Sequence, residues 1–250
     1  MLKEINSQKI SKMNIAIIGY GRMGHEIEEA SISRGHVIKA VVDKDNLSDL
    51  DSLGKHEIGV AIEFTTPETA SENIIKCLRQ KIPVVCGTTG WLHDYDKAVN
   101  ACNENGVSFL HSSNFSIGVN ILFKLNVELA RYMSRYPDYK PFIEEIHHIK
   151  KVDAPSGTAI TLAGGIAGHH PGYKGWCFES NEPNNQIPIR SVREGMVPGI
   201  HTIIWNSEID NISLRHESKN RKGLALGAVI AAEFIFTRKG VFTMNNVLGF

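Results

Sequence analysis

The sequence predicts an α/β fold in two parts, and three observations carry that expectation. Short apolar runs alternate with helical periods over the first half, a Gly-x-Gly-x-x-Gly turn joins the first run to the first helix, and the alternation stops after Phe115. Ile15-Ala16-Ile17-Ile18 is apolar throughout, as in a strand covered on both faces, and ends at Gly19. Residues 22–34 read as a helix with Gly35 as its C-terminal cap. Strands follow at 37–43, 58–64, 82–86 and 107–111. Helices separate them at 67–80, opened by Pro67 where a missing N–H costs nothing, and at 93–105. Short strands spaced by helices imply a parallel, doubly wound sheet with right-handed crossovers.

Beyond Phe115 a long helix, 117–135, precedes a strand at 142–148 and a helix at 158–168. A Gly/Pro/Asn-rich loop spans 169–186, and strand-like runs at 187–193, 201–206 and 212–216 suggest a smaller, open mixed sheet. A last helix covers 223–237. The expected partition is residues 13–117 with 221–250 as one domain and 118–220 as the other, with residues 1–12 a disordered tail ahead of Met13.

Composition narrows the function. The 250 residues are 42% hydrophobic and 22% charged with zero formal net charge, and no long Lys/Arg block supports a nucleic-acid partner. No apolar run approaches a membrane span and the start lacks a signal peptide's apolar core, so a cytoplasmic protein is expected. Cys77, Cys86, Cys102 and Cys177 form no CxxC, and reduced, mostly buried thiols are the default. No metal site is expected; His169-His170, without a ligand-spaced partner, reads as solvated polar sequence.

Gly19-Tyr20-Gly21-Arg22-Met23-Gly24 stands between strand and helix, with Asp43 closing the second strand, which is the context of a Rossmann dinucleotide site. The glycines let backbone N–H groups approach a pyrophosphate, and Asp43 can accept from a ribose. Lys44 beside it offers a cation for the extra phosphate of NADP, or is a solvated surface lysine. Phe64-Thr65, Gly87-Thr88-Thr89 and Ser112-Ser113-Asn114-Phe115 fall at later strand ends, where an open α/β sheet binds its ligand. Their hydroxyls and backbone suit a nicotinamide ribose or carboxamide, and Phe115 a flat face; simple turn chemistry is the alternative.

The densest chemistry lies in Glu145-Ile146-His147-His148-Ile149-Lys150-Lys151-Val152-Asp153-Ala154-Pro155-Ser156-Gly157-Thr158. Proton donors here precede a helix start, whose unpaired N–H groups and field favour an anion. Ser156 or Thr158 is alternatively only an N-cap, worth about 1 kcal/mol. If the two histidines end a strand, they point to opposite faces. Arg193 and Arg221 are either site or surface residues, and His201 is read as part of a strand or interface.

The motifs GYGRMG, FTTPE, GTTG, SSNFSIGVN, EIHHIKKVDAPSGTA, SVREG, GIHT and VFTMNNVLGF together resemble the dihydrodipicolinate (4-hydroxy-tetrahydrodipicolinate) reductase family of lysine and diaminopimelate biosynthesis. The His-His-x-x-Lys-Val-Asp-Ala-Pro-Ser-Gly-Thr run is the specific part. The resemblance implies an NAD(P)H-dependent oxidoreductase with a Rossmann domain and a C-terminal α/β substrate and oligomerisation domain, assembled as a homotetramer. It implies loss of water and hydride delivery to a cyclic dicarboxylate, with NADPH and/or NADH as cofactor. It places His147 as catalytic acid/base and Lys151 as proton donor, and His148, Ser156, Gly157 and Thr158 on the substrate. Arg22, Met23 and Asp43 match nucleotide positions, while Gly87–Thr89 and Ser112–Phe115 match the nicotinamide side. Two departures from the common pattern are a glycine loop without an extra glycine and Ile149 in place of a basic residue. Competing readings are an aspartate dehydrogenase-like enzyme, which needs another signature in place of residues 147–158, and a non-catalytic nucleotide sensor, which leaves the acid–base cluster unexplained.

Overall fold

A computed structural model of the chain describes residues 11–179 and 185–250. The tail expected over 1–12 lies, up to residue 10, outside the described residues, as does part of the 169–186 loop. Packing divides the chain into two compact units, one running to Phe115 and resuming over Lys222–Phe250, the other Ser116–Arg221.

The first unit opens with β1 (Asn14–Ile18), α1 (Arg22–Ser33), β2 (Val37–Val42), β3 (Val60–Glu63), α2 (Pro67–Arg79), β4 (Val84–Cys86), α3 (Tyr95–Asn105) and β5 (Ser108–His111). A 3-10 segment over Leu47–His56 and a 3-10 turn at Leu92–Asp94 were not expected. Both faces of β1 are covered, which is why its sequence does not alternate. Ala16 and Ile18 join a core with Ala70 and Ile74 of α2, and Ile15 and Ile17 join a second core with Ile27 of α1. β1 pairs in parallel with β2 on one side and β3 on the other. The chain therefore reverses its direction of winding between β1 and β3, and a crevice opens there beyond the strands' carboxyl ends.

The second unit holds α4 (Ile117–Met133), β6 (Lys140–His147), α5 (Gly157–Ala167), β7 (Trp176–Phe178), β8 (Ile187–Arg193), β9 (Gly199–Asn206) and β10 (Asn211–Ser218). Its sheet is mixed, in the order β10-β9-β6-β8-β7. β8 runs parallel to β6 and β7, and β9 antiparallel to β6 and β10. β6 shows the period-2 pattern of a half-covered strand: Ile143, Glu145 and His147 are buried, while Phe142, Glu144 and Ile146 are half-buried. Leu122 of α4 and Leu162 and Ile166 of α5 pack with Ile143, Ile189 and Ile203. Burying such side chains contributes roughly 1.5–3 kcal/mol each.

Two sequence expectations are corrected in this unit. The 169–186 stretch is not all loop, since β7 pairs in parallel with β8; three residues carry too little periodicity to announce a strand. His170 is not solvated. It is buried, with its ring 4.9 Å from that of Tyr173 and 5.5 Å from that of Trp205, and burial pushes its pKa down.

The chain then returns to the first unit through α6 (Lys222–Ile235), β11 (Gly240–Phe242) and α7 (Met244–Leu248). β11 adds to β5, giving a parallel sheet in the order β11-β5-β4-β3-β1-β2. Sequence reasoning found α6 but neither β11 nor α7, both too short to show a period. Gly227 lets α6 sit on the segment that follows β5: a Cβ there would lie 1.8 Å from the carbonyl oxygen of Phe115.

Candidate functional site

In the first unit, the glycine turn is dictated by crowding. Gly19 has φ +91°, and a Cβ on it would lie 2.1 Å from the carbonyl oxygen of Phe64. Its N–H donates to the carbonyl of Val42 at 2.8 Å, tying the turn to β2. A Cβ on Gly24 would meet the carbonyl oxygen of Gly19 at 2.5 Å, so α1 can start close against the strand. At Gly21 a Cβ would have nothing within 4 Å, leaving the backbone open to a ligand.

Two cavities meet at this turn. One of about 380 Å³ gathers Gly21, Arg22, Met23, Phe64, Thr65, Gly87, Thr88 and Thr89. The other, of about 290 Å³, gathers Gly19, Asp43 and Lys44 and shares Gly21, Phe64 and Thr65. An elongated ligand with a charged middle and a polar ribose at one end fits this pair. The glycine backbone and the first turn of α1 face the middle, and a carboxylate stands at the end. The remaining predicted residues line neither cavity. Tyr20 turns along α1, its hydroxyl on Glu28 and its ring 4.1 Å from that of His25. Ser112 hydrogen-bonds the backbone of Asn114, and Ser113 is exposed. Phe115 is 1% exposed and packs on Phe64, so the flat face expected there lies in the core.

Sequence reasoning missed the group that holds this crevice in shape. Glu63, at the end of β3, is fully buried. Its carboxylate accepts the Thr65 N–H at 3.0 Å, the Thr88 hydroxyl at 3.0 Å and the Cys86 thiol at 2.9 Å, as well as the Thr65 hydroxyl. One side chain thereby fastens both threonine loops. The signal was present, since Val60-Ala61-Ile62-Glu63 ends an apolar strand in an acid.

In the second unit, the site forms where β6 ends and α5 begins. His147 is buried at 7% exposure and His148 half-buried, on opposite faces as strand geometry requires. The buried Nδ1 of His148 has no hydrogen-bond partner among the described residues, and the buried Nδ1 of His147 faces a carboxylate oxygen of Glu145 at 3.3 Å, outside hydrogen-bond geometry. Ser156 caps α5, its hydroxyl accepting the Ala159 N–H at 3.2 Å. Gly157 and Thr158 form the first turn of α5. Lys151 pairs with Asp153 at 2.8 Å. Burial opposes ionisation of Asp153, but Lys151 outweighs it and holds the carboxyl below its usual range.

Glu145 connects these pieces. Fully buried, it accepts the Ser156 N–H at 3.0 and 3.1 Å. Its Oε2 lies 3.3 Å from His147 Nδ1 and 3.8 Å from His201 Nε2, and its Oε1 lies 3.3 Å from Arg193 Nη2. Burial alone would raise its pKa; the neighbouring His147, Ser156 and Ser191 reverse the sign and hold it well below the carboxylate range. Burial, helped by the charge of His147, pushes His201 down to about 3. A neutral His201 Nε2 can accept the Ser156 hydroxyl proton across 3.1 Å, while that oxygen's lone pair serves the helix cap. Arg193 also donates to the carbonyls of Lys151 at 3.3 Å and Asp153 at 2.5 Å.

Glu145, His147 and His201 offer ligand atoms within 4.8 Å of one another, a spacing a metal ion accepts. Arg193 on the same carboxylate opposes a second cation there. Glu145 was legible two residues before His147 on one strand face. Arg193 and His201 join only through register, opposite His147 and Glu145 respectively.

Comparison with known proteins agrees across both units. The model "Dihydrodipicolinate reductase, N-terminus" matches residues 13–115, and "Dihydrodipicolinate reductase, C-terminus" matches 118–248. The chain is 49% identical over 236 residues to the 4-hydroxy-tetrahydrodipicolinate reductase of Christiangramia forsetii, covering 94% of this chain and 98% of that one. To that of Thermosipho africanus it is 32% identical over 94% and 98% of the two chains. Among solved structures it resembles a dipicolinate-bound dihydrodipicolinate reductase from Paenisporosarcina sp. TG-14, with 26% identity, a TM-score of 0.77 and 93% and 98% coverage.

Proposed function

The chain belongs to the dihydrodipicolinate reductase family, and from that membership we infer that it reduces 4-hydroxy-tetrahydrodipicolinate in lysine and diaminopimelate biosynthesis. It is an oxidoreductase that draws on a nicotinamide dinucleotide. The observation that carries the site assignment is the seating of one acid–base histidine beside the first turn of α5, both on the same buried carboxylate. Product formation is tetrahydrodipicolinate with loss of water.

The first unit is assigned the dinucleotide, held by the glycine turn, Arg22 and Met23, with Asp43 on the adenosine ribose and the Thr65 and Thr88–Thr89 loops toward the nicotinamide. A bound reduced nicotinamide supplies the hydride. The second unit is assigned the substrate. Gly157 and Thr158 present backbone N–H groups to one carboxylate, with Ser156 shaping the turn and His148 as a further contact. Lys151 keeps a positive charge near the ring nitrogen, and His147 holds a proton that can move to it as electron density builds there.

Both NADPH and NADH are proposed as donors, since Asp43 suits free ribose hydroxyls and exposed Lys44 suits a phosphate. A homotetramer is proposed on the second sheet's other face, where Phe142, Ile146, Ile200 and Ile204 stay only half-buried within the unit. Sedimentation of the purified protein as a monomer would exclude it. No helix among the described residues is long and apolar enough to cross a membrane, which supports the cytoplasm as its place of work.

A coupled assay tests the reading: pyruvate, aspartate semialdehyde and a synthase that condenses them are supplied, and loss of NADPH or NADH absorbance is followed. Substrate-dependent oxidation is expected with both donors; none would sink the assignment. Lys44→Ala should lower the NADPH to NADH preference, and an unchanged ratio removes its phosphate role.

A further inference from the structure

Glu145 is fully buried and has no exposed edge with which to meet a substrate, yet it touches more of the site than any residue assigned a role. Its two oxygens receive the Ser156 N–H at the start of α5, the Nδ1 edge of His147 at 3.3 Å and Arg193 Nη2 at 3.3 Å. Arg193 carries the connection onward, donating to the carbonyls of Lys151 and Asp153. The three groups the reaction needs come from different elements: an imidazole at a strand end, an ammonium on a loop and a turn at a helix start. All three are tied, directly or through one arginine, to a single carboxylate.

We propose that Glu145 is the positioning residue of this site. It turns the Nδ1 edge of His147 inward, so that Nε2 is the nitrogen left for the substrate, and it fixes the helix start and the Lys151 strap at set distances from that nitrogen. An imidazole without such a partner is free to rotate about χ2 and present either nitrogen, which dilutes the productive geometry. His201 completes the arrangement from the far side. Its uncharged Nε2 takes the Ser156 hydroxyl, so it adds no second cation to compete for the carboxylate. A buried carboxylate that needs an arginine, an imidazole edge and a backbone donor around it is an expensive arrangement for stability alone, because apolar replacements of such groups are often neutral or better.

This inference rests on the acid–base role given to His147, and the test separates the two. Glu145→Gln keeps shape and one acceptor for the Ser156 N–H but loses the charge. It should lower kcat on the order of 100-fold, with KM for the reduced dinucleotide within about twofold of the parent. In a His147→Gln background the same change should cost less than about twofold more, because the effect passes through His147. Losses that multiply in the double variant point to a merely structural role and overturn the proposal, as does a Glu145→Gln enzyme of parental kcat. Glu145→Asp should restore part of the rate by returning the charge. If Glu145→Gln fails to fold, Arg193→Lys is measured instead. It keeps a cation on the carboxylate but cannot bridge to both carbonyls, and a parental rate would again overturn the proposal. Turnover unaffected by His147→Gln sinks the acid–base reading itself; loss there beside an unaffected Glu145→Gln sinks only the positioning role.

Discussion

His147, Lys151 and Ser156 were legible because they fall within ten positions of one another, and because residue type limits what each can do at neutral pH. Imidazole moves a proton, ammonium keeps a charge, and a serine before a helix organises N–H groups. The structure holds the Lys151 ammonium at 2.8 Å from Asp153 and keeps its side chain 22% exposed, so the charge is paired but still reachable. His147→Gln and Lys151→Ala should each lower kcat by about 100-fold or more while dinucleotide affinity, measured by fluorescence titration, stays within about twofold. A variant with parental kcat would remove that residue from the proton pathway. Glu145 was legible too, two residues from His147 on one strand face. Its importance was not, because its partners Arg193 and His201 lie 48 and 56 positions further along.

At the scale of elements, long periodic segments announced themselves and short ones did not. α4, at 17 residues, and the apolar β1 were read nearly to their ends. β7 and β11, at three residues each, exist because a neighbouring strand offers its edge. α6 shows what ties the chain's return to the first unit. Glu233 takes a bidentate pair from Arg34 at 2.6 and 2.8 Å and the His36 Nε2 at 2.8 Å, joining α6 to the end of α1 and the start of β2. The His36 side chain is fully buried, so losing its partner leaves a desolvated ring nitrogen. Glu233→Ala should therefore cost about 1–3 kcal/mol and lower Tm by several degrees, whereas Glu233→Gln should cost less. Equal Tm values for the parent and Glu233→Ala would show that the triad does not hold the return.

At the scale of the whole molecule, buried titrating groups set the response to acid. His201 sits at about 3 in the folded chain against an unperturbed 6.5, so between those values the unfolded chain binds a proton the folded one refuses. Stability falls as pH drops through that window. Burial depresses His111, His170 and His216 in the same direction. Glu145, held below its usual 4.5, contributes fully above that value and loses its contribution as pH falls further. The two effects add. The urea midpoint should drop steadily from about pH 7 to about pH 4.5, and His201→Gln should flatten the upper part of that slope. A midpoint independent of pH over this range would contradict the buried, neutral assignment of His201.

By itself the sequence determined the α/β class, the glycine turn and the run that holds acid, ammonium and helix start together. Each of these is a local matter of backbone period, steric room at glycine or residue type within a dozen positions. Only the tertiary structure decided that Glu63 fastens two threonine loops, that His170 is a core ring, and that Arg193 and His201 close around Glu145. Those relations depend on strand register and on which face of a sheet a helix covers. Register is set by packing summed over the whole sheet, and a shift of one residue in β8 or β9 would turn Arg193 or His201 away from Glu145.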